Sequence, residues 1–383
     1  MEVEIIEYAN PGHFTLVDSV ARIFSSESKN QVSLSVRPHH TDNAHKLIVR
    51  LQRSNLNTNS FSFNKVTDSV KVIITPEHEL DYLLNCTDKG RTWMFVHNID
   101  DWFDLGVLKG FRQATDAFLK DKNPKLAYFL LKRVFRDNPK KRKAVERIIA
   151  DAHSYFVVIN NTLRDELAKL VPIEKIKVIP FSVYDASLKD LSTENQKIRI
   201  AIPGLLSQKR RDYTSVFKSM ETWSEELLSK IEIDLLGGIS DAAGERSAEV
   251  VNYAEKLIKQ GYPIILRNST YIELDEFDHE LSKADIILGN LNIDQGGGSK
   301  YGKTKESGIP FTMIRAAKPG ILPVGYSTIQ EVQTSTVFVE DYYLLSEVLC
   351  KMIDTSEIKN LKSVALDNSQ FFKDKNIYQQ IWE

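Results

Sequence analysis

The stretch KIRIAIPGLLSQKRRDY, Lys197 to Tyr213, reads as a buried strand that ends in Pro-Gly and runs through a cationic turn into a helix. An apolar, β-branched run of this length, closed by glycine and followed by a helical pattern, is the opening of a βα unit. The alternation continues downstream. Helices DYTSVFKSM, SAEVVNYAEKLIKQG and LDEFDHELSKA separate strands IEIDLLGG, PIILRN, DIILGN and GILPVG. Upstream of the polar segment DASLKDLSTENQ the same grammar recurs. The strands there are VEIIEY, VSLSV, VKVIIT, TWMFVHN, YFVVIN and KIKVIPF; the helices are FTLVDSVARIF, PEHELDYLL, AVERIIADA and NTLRDELAKL. Short apolar strands alternating with helices predict parallel sheets covered on both faces. The expected fold class is therefore α/β, with two doubly wound Rossmann-like domains facing a cleft, where ligands bind at the carboxyl ends of the strands. The expected limits are 1–190 and 197–365. A C-terminal helix at 366–383, apolar through Phe371, Phe372, Ile377, Tyr378, Ile381 and Trp382, is expected to cross back to the first domain.

A chain of 383 residues suits two domains, and its formal charge of −2 argues against a general nucleic-acid binder. Cys86 and Cys350 stand far apart without a CxxC or a histidine pattern, so neither a disulfide framework nor a zinc site is expected. His39 and His40 carry no ligand spacing, and no metal is expected. The acidic start MEVEIIEYAN is unlike a signal peptide. No apolar run approaches the roughly 18–20 residues that span a bilayer. A cytoplasmic protein is the expectation.

Two basic, glycine-bearing loops stand out at strand ends. One is Gly204 with Lys209, Arg210 and Arg211. The other is DQGGGSKYGKTKESGIPFTMIRAAKPGILPVG, Asp294 to Gly325, in which Gly296–Gly298 and Lys300, Lys303 and Lys305 precede a helix opened by Pro310. Proline suits the first helical turn. The amides of Ser307, Gly308 and Ile309 then stand at the positive end of the helix dipole, where anions bind. Each loop alone also reads as a solvated surface; together they predict a diphosphate site.

The second half resembles the donor domain of GT-B glycosyltransferases, especially the retaining family 4 group. PGLLSQKRRDY matches the family's opening glycine turn with its Lys or Arg. IILRNSTYIELDEFDHELSKADIILGN matches the middle signature, and KESGIPFTMIRAAKPGILPVG the back of the closing motif. The likeness runs from Lys197 to Val339. It implies a metal-independent transferase that takes a sugar from a nucleotide-diphosphate donor, UDP or GDP type, with retention. The acceptor is then a glycan, a lipid-linked molecule or a protein. Lys209, Arg210, Ser307 and Gly308 would stabilise the leaving diphosphate. Counting back from Pro319, the family's two glutamates fall on Thr304 and Thr312, so Glu306 takes the donor-sugar role and Thr312 replaces the ribose contact. NPGH, with Gly12 and His13, resembles the acceptor-side glycine turn. His97 and Asn98 end a strand, with His97 read either as a base or sugar contact or as a histidine bonded to backbone. A catalytically silent scaffold that binds a nucleotide or a partner glycosyltransferase is the alternative; no residues are found for an epimerase or a phosphorylase.

KLAYFLLKRVFRDNPKKRKAVER carries eight Lys/Arg from Lys132 to Arg147 against two acids. The helix before Asn138 is expected to be a core helix with a charged outer face. Lys140–Arg147 is expected to touch anionic lipid at the inner membrane face.

Overall fold

The computed structural model describes residues 1–7, 13–36, 69–103, 106–119, 124–188, 190–192, 197–240, 243–294 and 300–382. The expectations placed on Gly12, His39, His40 and Gly296–Gly298 lie outside them.

By contacts the chain divides into two units: Met1–Pro180 with Lys303–Glu306 and Tyr378–Glu383, and Phe181–Gly302 with Ser307–Ile377. The first unit holds β1 (Glu2–Glu7), β2 (Gln31–Val36), β3 (Val70–Ile73), β4 (Thr92–Phe95), β5 (Tyr155–Val158) and β6 (Ile176–Val178). They form one sheet in the order β2-β1-β3-β4-β5-β6, parallel at every pairing. β3 and β4 are buried along their whole length, as strands covered on two faces are, and Lys71, the charge within β3, is paired with Glu4 at 2.9 Å. Leu16, Val20 and Ile23 of the helix Phe14–Ser25 are fully buried, the face that the 3.6-residue period marks.

The second unit holds β7 (Ile198–Ala201), β8 (Ile231–Leu235), β9 (Ile264–Leu266), β10 (Ile286–Leu288), β11 (Gly320–Pro323) and β12 (Thr336–Val339). Their order is β12-β11-β10-β7-β8-β9, again parallel throughout. In chain order within the unit this is the doubly wound 3-2-1-4-5-6 arrangement, whose crevice opens between β7 and β10. Both units are Rossmann-like α/β layers. β12 is an edge strand, only partly buried, and its weak apolar contrast hid it from the sequence pattern.

The helix Ile309–Ala316 is clamped from behind. Arg315 is fully buried, with both its Nε and Nη2 2.8 Å from the Asp278 carboxylate. A buried cation needs such a partner, and the pair ties this helix to the helix Leu274–Ser282, which carries Asp278. Among the described residues no helix is long and apolar enough to cross a membrane.

In the helix Pro124–Lys132 and the π-helical turn Arg133–Asp137, expected to be a core helix, two large side chains are exposed, Tyr128 at 65% and Phe135 at 64%, while Ala127 and Val134 are buried.

Candidate functional site

The second unit gathers polar groups at the carboxyl ends of β7 and β10. Gly204 takes φ +100°, which favours glycine, and its amide donates to the Leu236 carbonyl just past β8. Gly237 packs so tightly on it that a Cβ there would lie 1.7 Å from the Gly204 carbonyl oxygen. That approach explains the paired glycines of PGLL and LLGG. The turn that follows is stitched to the end of β10. Asp212 donates its amide to Asn290 O at 2.7 Å, and Asn292 to Arg210 O at 3.0 Å; the Arg211 and Leu291 backbones form an antiparallel bridge. Asp212 then caps the helix Tyr213–Met220.

Within this frame the three basic residues differ. Lys209 is exposed. Arg210 is bound to Glu245 through Nε and Nη2, both at 2.9 Å. Burial would raise the Glu245 carboxylate, but hydrogen bonds from Arg210 and Ser207 outweigh it and hold the group below its ordinary value. Arg210 is thus already neutralised. Arg211 is only 8% exposed and lies against Gly204, where a Cβ would come within 2.5 Å of its Nη2. Among the described residues its Nη1 has no hydrogen-bond partner and the guanidinium no carboxylate within ion-pair distance. Asn290 is fully buried with neither end of its amide bonded, and the buried Tyr213 hydroxyl is likewise unpaired. Burial pushes the Tyr213 hydroxyl up to about 12, against the opposing charge of Arg211, so it stays protonated and able to donate. Unpaired buried polar groups are costly, and their concentration at one point marks a place built for a polar ligand.

The helix Ile309–Ala316 begins beside the same strand end, with the Ile309 side chain against Gly289. Gly308 is its exposed N-cap. The Ile309 amide, expected to be free, donates to Ser307 Oγ at 3.2 Å. Thr312 turns its hydroxyl back to Gly308 O at 3.0 Å, which leaves only a lone pair for a ligand.

The first unit has its own polar cluster, where the sheet order reverses between β1 and β3. Glu7 is buried; its Oε1 accepts from Thr75 Oγ1 at 2.6 Å, and its Oε2 lies 3.5 Å from His13 Nδ1. The His13 and His97 rings stack with centroids 5.6 Å apart, and Phe95 stacks on His97. His97 Nε2 is 2.7 Å from the Ile74 carbonyl. A carbonyl only accepts, so Nε2 carries the hydrogen and Nδ1 the lone pair. Burial, then the neighbouring His13, holds His97 below its ordinary value against the pull of Glu77, the Ile74 carbonyl and Glu7. It therefore stays neutral near pH 7.

Asn98 is consumed locally: its Nδ2 donates to Asp101 Oδ2 at 2.9 Å and its Oδ1 accepts the Asp100 amide. Lys303–Glu306 belongs to the first unit. The Thr304 carbonyl accepts the Ile99 amide, Thr304 Oγ1 donates to Asp100, and Lys305 bridges Asn98. Glu306 is buried and accepts a hydrogen bond from Asn160 Nδ2, while Asn160 Oδ1 caps the helix Asn161–Leu167. The expected site residues thus fall into three groups. Gly204, Lys209, Arg210, Ser307, Gly308 and Thr312 lie at one edge of the second unit. His13 and His97 lie together in the first, and Glu306 and Asn98 are held on other strand ends of the first. Glu7, Asn160, Tyr213 and Asn290 were missed, and Arg211, read as part of the basic loop, was given no role of its own. Of those missed, only Asn290, ending its strand, carried any signal. Among the described residues no group of three or more His, Cys, Asp or Glu stands ready for a metal ion.

Neither a protein-family model nor a curated protein sequence matches the chain. Solved structures do. Anabaena HepE in complex with UDP and glucose matches with TM-score 0.65 at 12% identity, over 100% of this chain and 98% of that one. An α,α-trehalose-phosphate synthase (UDP-forming) from Burkholderia xenovorans, in complex with glucose-6-phosphate, matches with TM-score 0.58 at 10% identity over 99% and 98%. WaaG, a glycosyltransferase involved in lipopolysaccharide biosynthesis, matches with TM-score 0.53 at 11% identity over 100% and 98%. At such identities the likeness establishes the fold. Two Rossmann-like units in one chain, matched along their full length by these structures, make a GT-B-like fold.

Proposed function

We propose that the protein is a glycosyltransferase. It takes a sugar from a nucleotide-diphosphate donor of the UDP or GDP type and passes it, with retention and without a metal ion, to a glycan, lipid-linked or protein acceptor. The observation that carries this reading is Arg211, a buried guanidinium with no carboxylate in ion-pair distance among the described residues, set against Gly204 at the switch point of the second sheet. A diphosphate supplies what that cation lacks. Gly204 lets the phosphates approach the backbone. Arg211, the exposed Lys209 and the amides at Ser307 and Gly308 oppose the charge that grows as the diphosphate departs. Arg210 contributes less, since Glu245 already holds it. Glu306, kept in place by Asn160, contacts the donor sugar. His97, neutral with a free lone pair on Nδ1, and His13 beside Glu7 face the acceptor hydroxyl. Asn98 serves as a helix cap and is given no catalytic part. The solved structures of similar fold that hold UDP, Anabaena HepE and Staphylococcus aureus MnaA, support a uridine donor first. A cytoplasmic site of action follows from the same reading.

A thermal-shift screen of UDP, GDP, ADP and CMP against the matching nucleosides tests this. Ligand at a hundredfold its Kd stabilises the native state by about 2.7 kcal/mol. A diphosphate should raise the melting temperature where its nucleoside does not; no response to any diphosphate would overturn the reading. The second reading is a catalytically silent scaffold, favoured by Thr312, whose hydroxyl is spent on Gly308 where the family places a glutamate. Release of sugar from the nucleotide donor without acceptor separates the two.

A further inference from the structure

The helices Val107–Leu119 and Pro124–Lys132 pack on each other and on the turn Arg133–Asp137. Among their described side chains the buried ones are small. A Cβ on Gly110 would meet Val134 Cγ2 at 2.2 Å, and Ala114 and Ala127 are buried with Val134. Five of their large apolar residues are exposed: Phe111 40%, Phe118 58%, Leu119 66%, Tyr128 65% and Phe135 64%. Phe111 and Phe135 meet edge to face at 5.4 Å on the outside of the hairpin. Ordinary core helices place large residues inside and small or polar ones out. Here five large apolar side chains stand in water on one short stretch of chain, two of them in contact, and exposed apolar surface of this kind marks an interaction face.

The charge around this face is equally one-sided. From Val107 to Arg147 the sequence holds thirteen Lys/Arg and four Asp/Glu, an excess of nine positive charges in a chain whose total is −2. Arg112, Lys125, Arg136, Arg142 and Lys143 are exposed. The part expected from sequence to touch lipid, Lys140–Arg147, is largely engaged within the fold. Lys141 is buried, donates to Asp101 O at 2.8 Å and lies over the Trp102 ring. Lys140 pairs with Asp81 and Arg147 with Asp88, each at 2.5 Å.

We propose that this helical hairpin docks on an anionic lipid bilayer. Phe118, Leu119, Tyr128 and Phe135 enter the boundary between headgroups and acyl chains, and the surrounding Lys and Arg meet the anionic headgroups. Apolar side chains ringed by cations on an amphipathic surface are what such an interface binds. A second copy of the chain is disfavoured, because a two-fold contact would set the exposed Arg112, Lys125, Arg136, Arg142 and Lys143 against the same cations of the other copy. Nucleic acid would use the cations and leave the exposed aliphatic and aromatic face idle. The inference does not rest on the transferase reading.

Flotation of the full chain with vesicles is the test. Vesicles of phosphatidylcholine with phosphatidylglycerol should carry the protein, and phosphatidylcholine alone should carry it at least about tenfold less well. The variant F118S/L119S, and separately Y128S/F135S, alters only exposed side chains. Each should melt like the parent and lose anionic vesicle binding about tenfold or more. K125E/R136E should lose it too, with weaker binding as salt rises. The proposal is overturned if the parent does not float with anionic vesicles, or if the serine variants float as the parent does. It is also overturned if the same serine substitutions instead abolish a concentration-dependent dimer, or if short single-stranded RNA competes the protein off the vesicles without any effect of the aromatic changes.

Discussion

Arg211 and Arg210 are neighbours in sequence and opposites in circumstance. Arg210 has a bidentate carboxylate and half its surface in water; Arg211 is buried with an unpaired Nη1. Charge-assisted hydrogen bonds contribute roughly 1.5–3 kcal/mol, so Arg211→Ala should weaken binding of the nucleoside diphosphate about ten- to a hundredfold. The same change at Arg210 should cost severalfold less, and nucleoside binding should move little in either case; isothermal titration with diphosphate and nucleoside separates these effects. Equal losses at the two positions would remove Arg211 from the special place given to it. The pair His13–His97 makes a pH prediction. His97 binds its proton less tightly in the folded state than in the unfolded chain, because burial and His13 outweigh Glu77, Glu7 and the Ile74 carbonyl. Below the unfolded histidine pKa of about 6.5, the unfolded state takes up more protons and is favoured. The unfolding free energy should therefore be largest above that pH and fall from pH 7.5 to pH 5, and His97→Gln should flatten that slope. A variant with the parental slope would place the loss in other groups.

At the scale of elements, the last helix, Asp374–Trp382, shows how a tail is fixed. Tyr378 meets Phe24 edge to face at 6.3 Å, Trp382 lies 5.6 Å from Trp93, and the Ile381 carbonyl accepts from Lys177 Nζ at 2.6 Å. Asn30 adds a hydrogen bond to the Tyr378 hydroxyl at 3.2 Å. These residues count with the first unit although they follow the second in the chain. Ending the chain at Ile377 would strip cover from Phe24 and Trp93. By analogy with large aromatic deletions, the loss is roughly 3–5 kcal/mol, read from denaturant unfolding. Diphosphate affinity should stay within about twofold, since none of the deleted residues touches Arg211 or Asn290. A truncated protein with parental stability would make the aromatic packing incidental.

For the whole molecule, the proposed function assigns the nucleotide to the second unit and the acceptor residues to the first, each unit with its own parallel sheet. Bound UDP should slow amide exchange at residues 202–212, 289–292 and 307–309, and leave β1 to β6 of the first unit close to their free-state rates. Protection centred on the first sheet would place the nucleotide elsewhere.

The order of the strands up to β11, the glycine turn at Gly204, the proline start at Pro310 and the apolar character of the tail were legible in the chain. Each is a local or periodic property: a period of 2 or 3.6, a backbone angle that favours glycine, a fixed proline φ. The sequence alone thus determined a pair of α/β units with cationic loops at strand ends. Only the tertiary structure decided which cation is spent. Arg210 and Arg211 are indistinguishable in KRRD until Glu245, thirty-four residues beyond Arg211, folds against one of them. In the same way the period marks one face of the helix Pro124–Lys132 as apolar, but it cannot say whether that face meets the core. That depends on which neighbour packs at Ala127 and Val134, and burial is a relation between segments that no single segment contains.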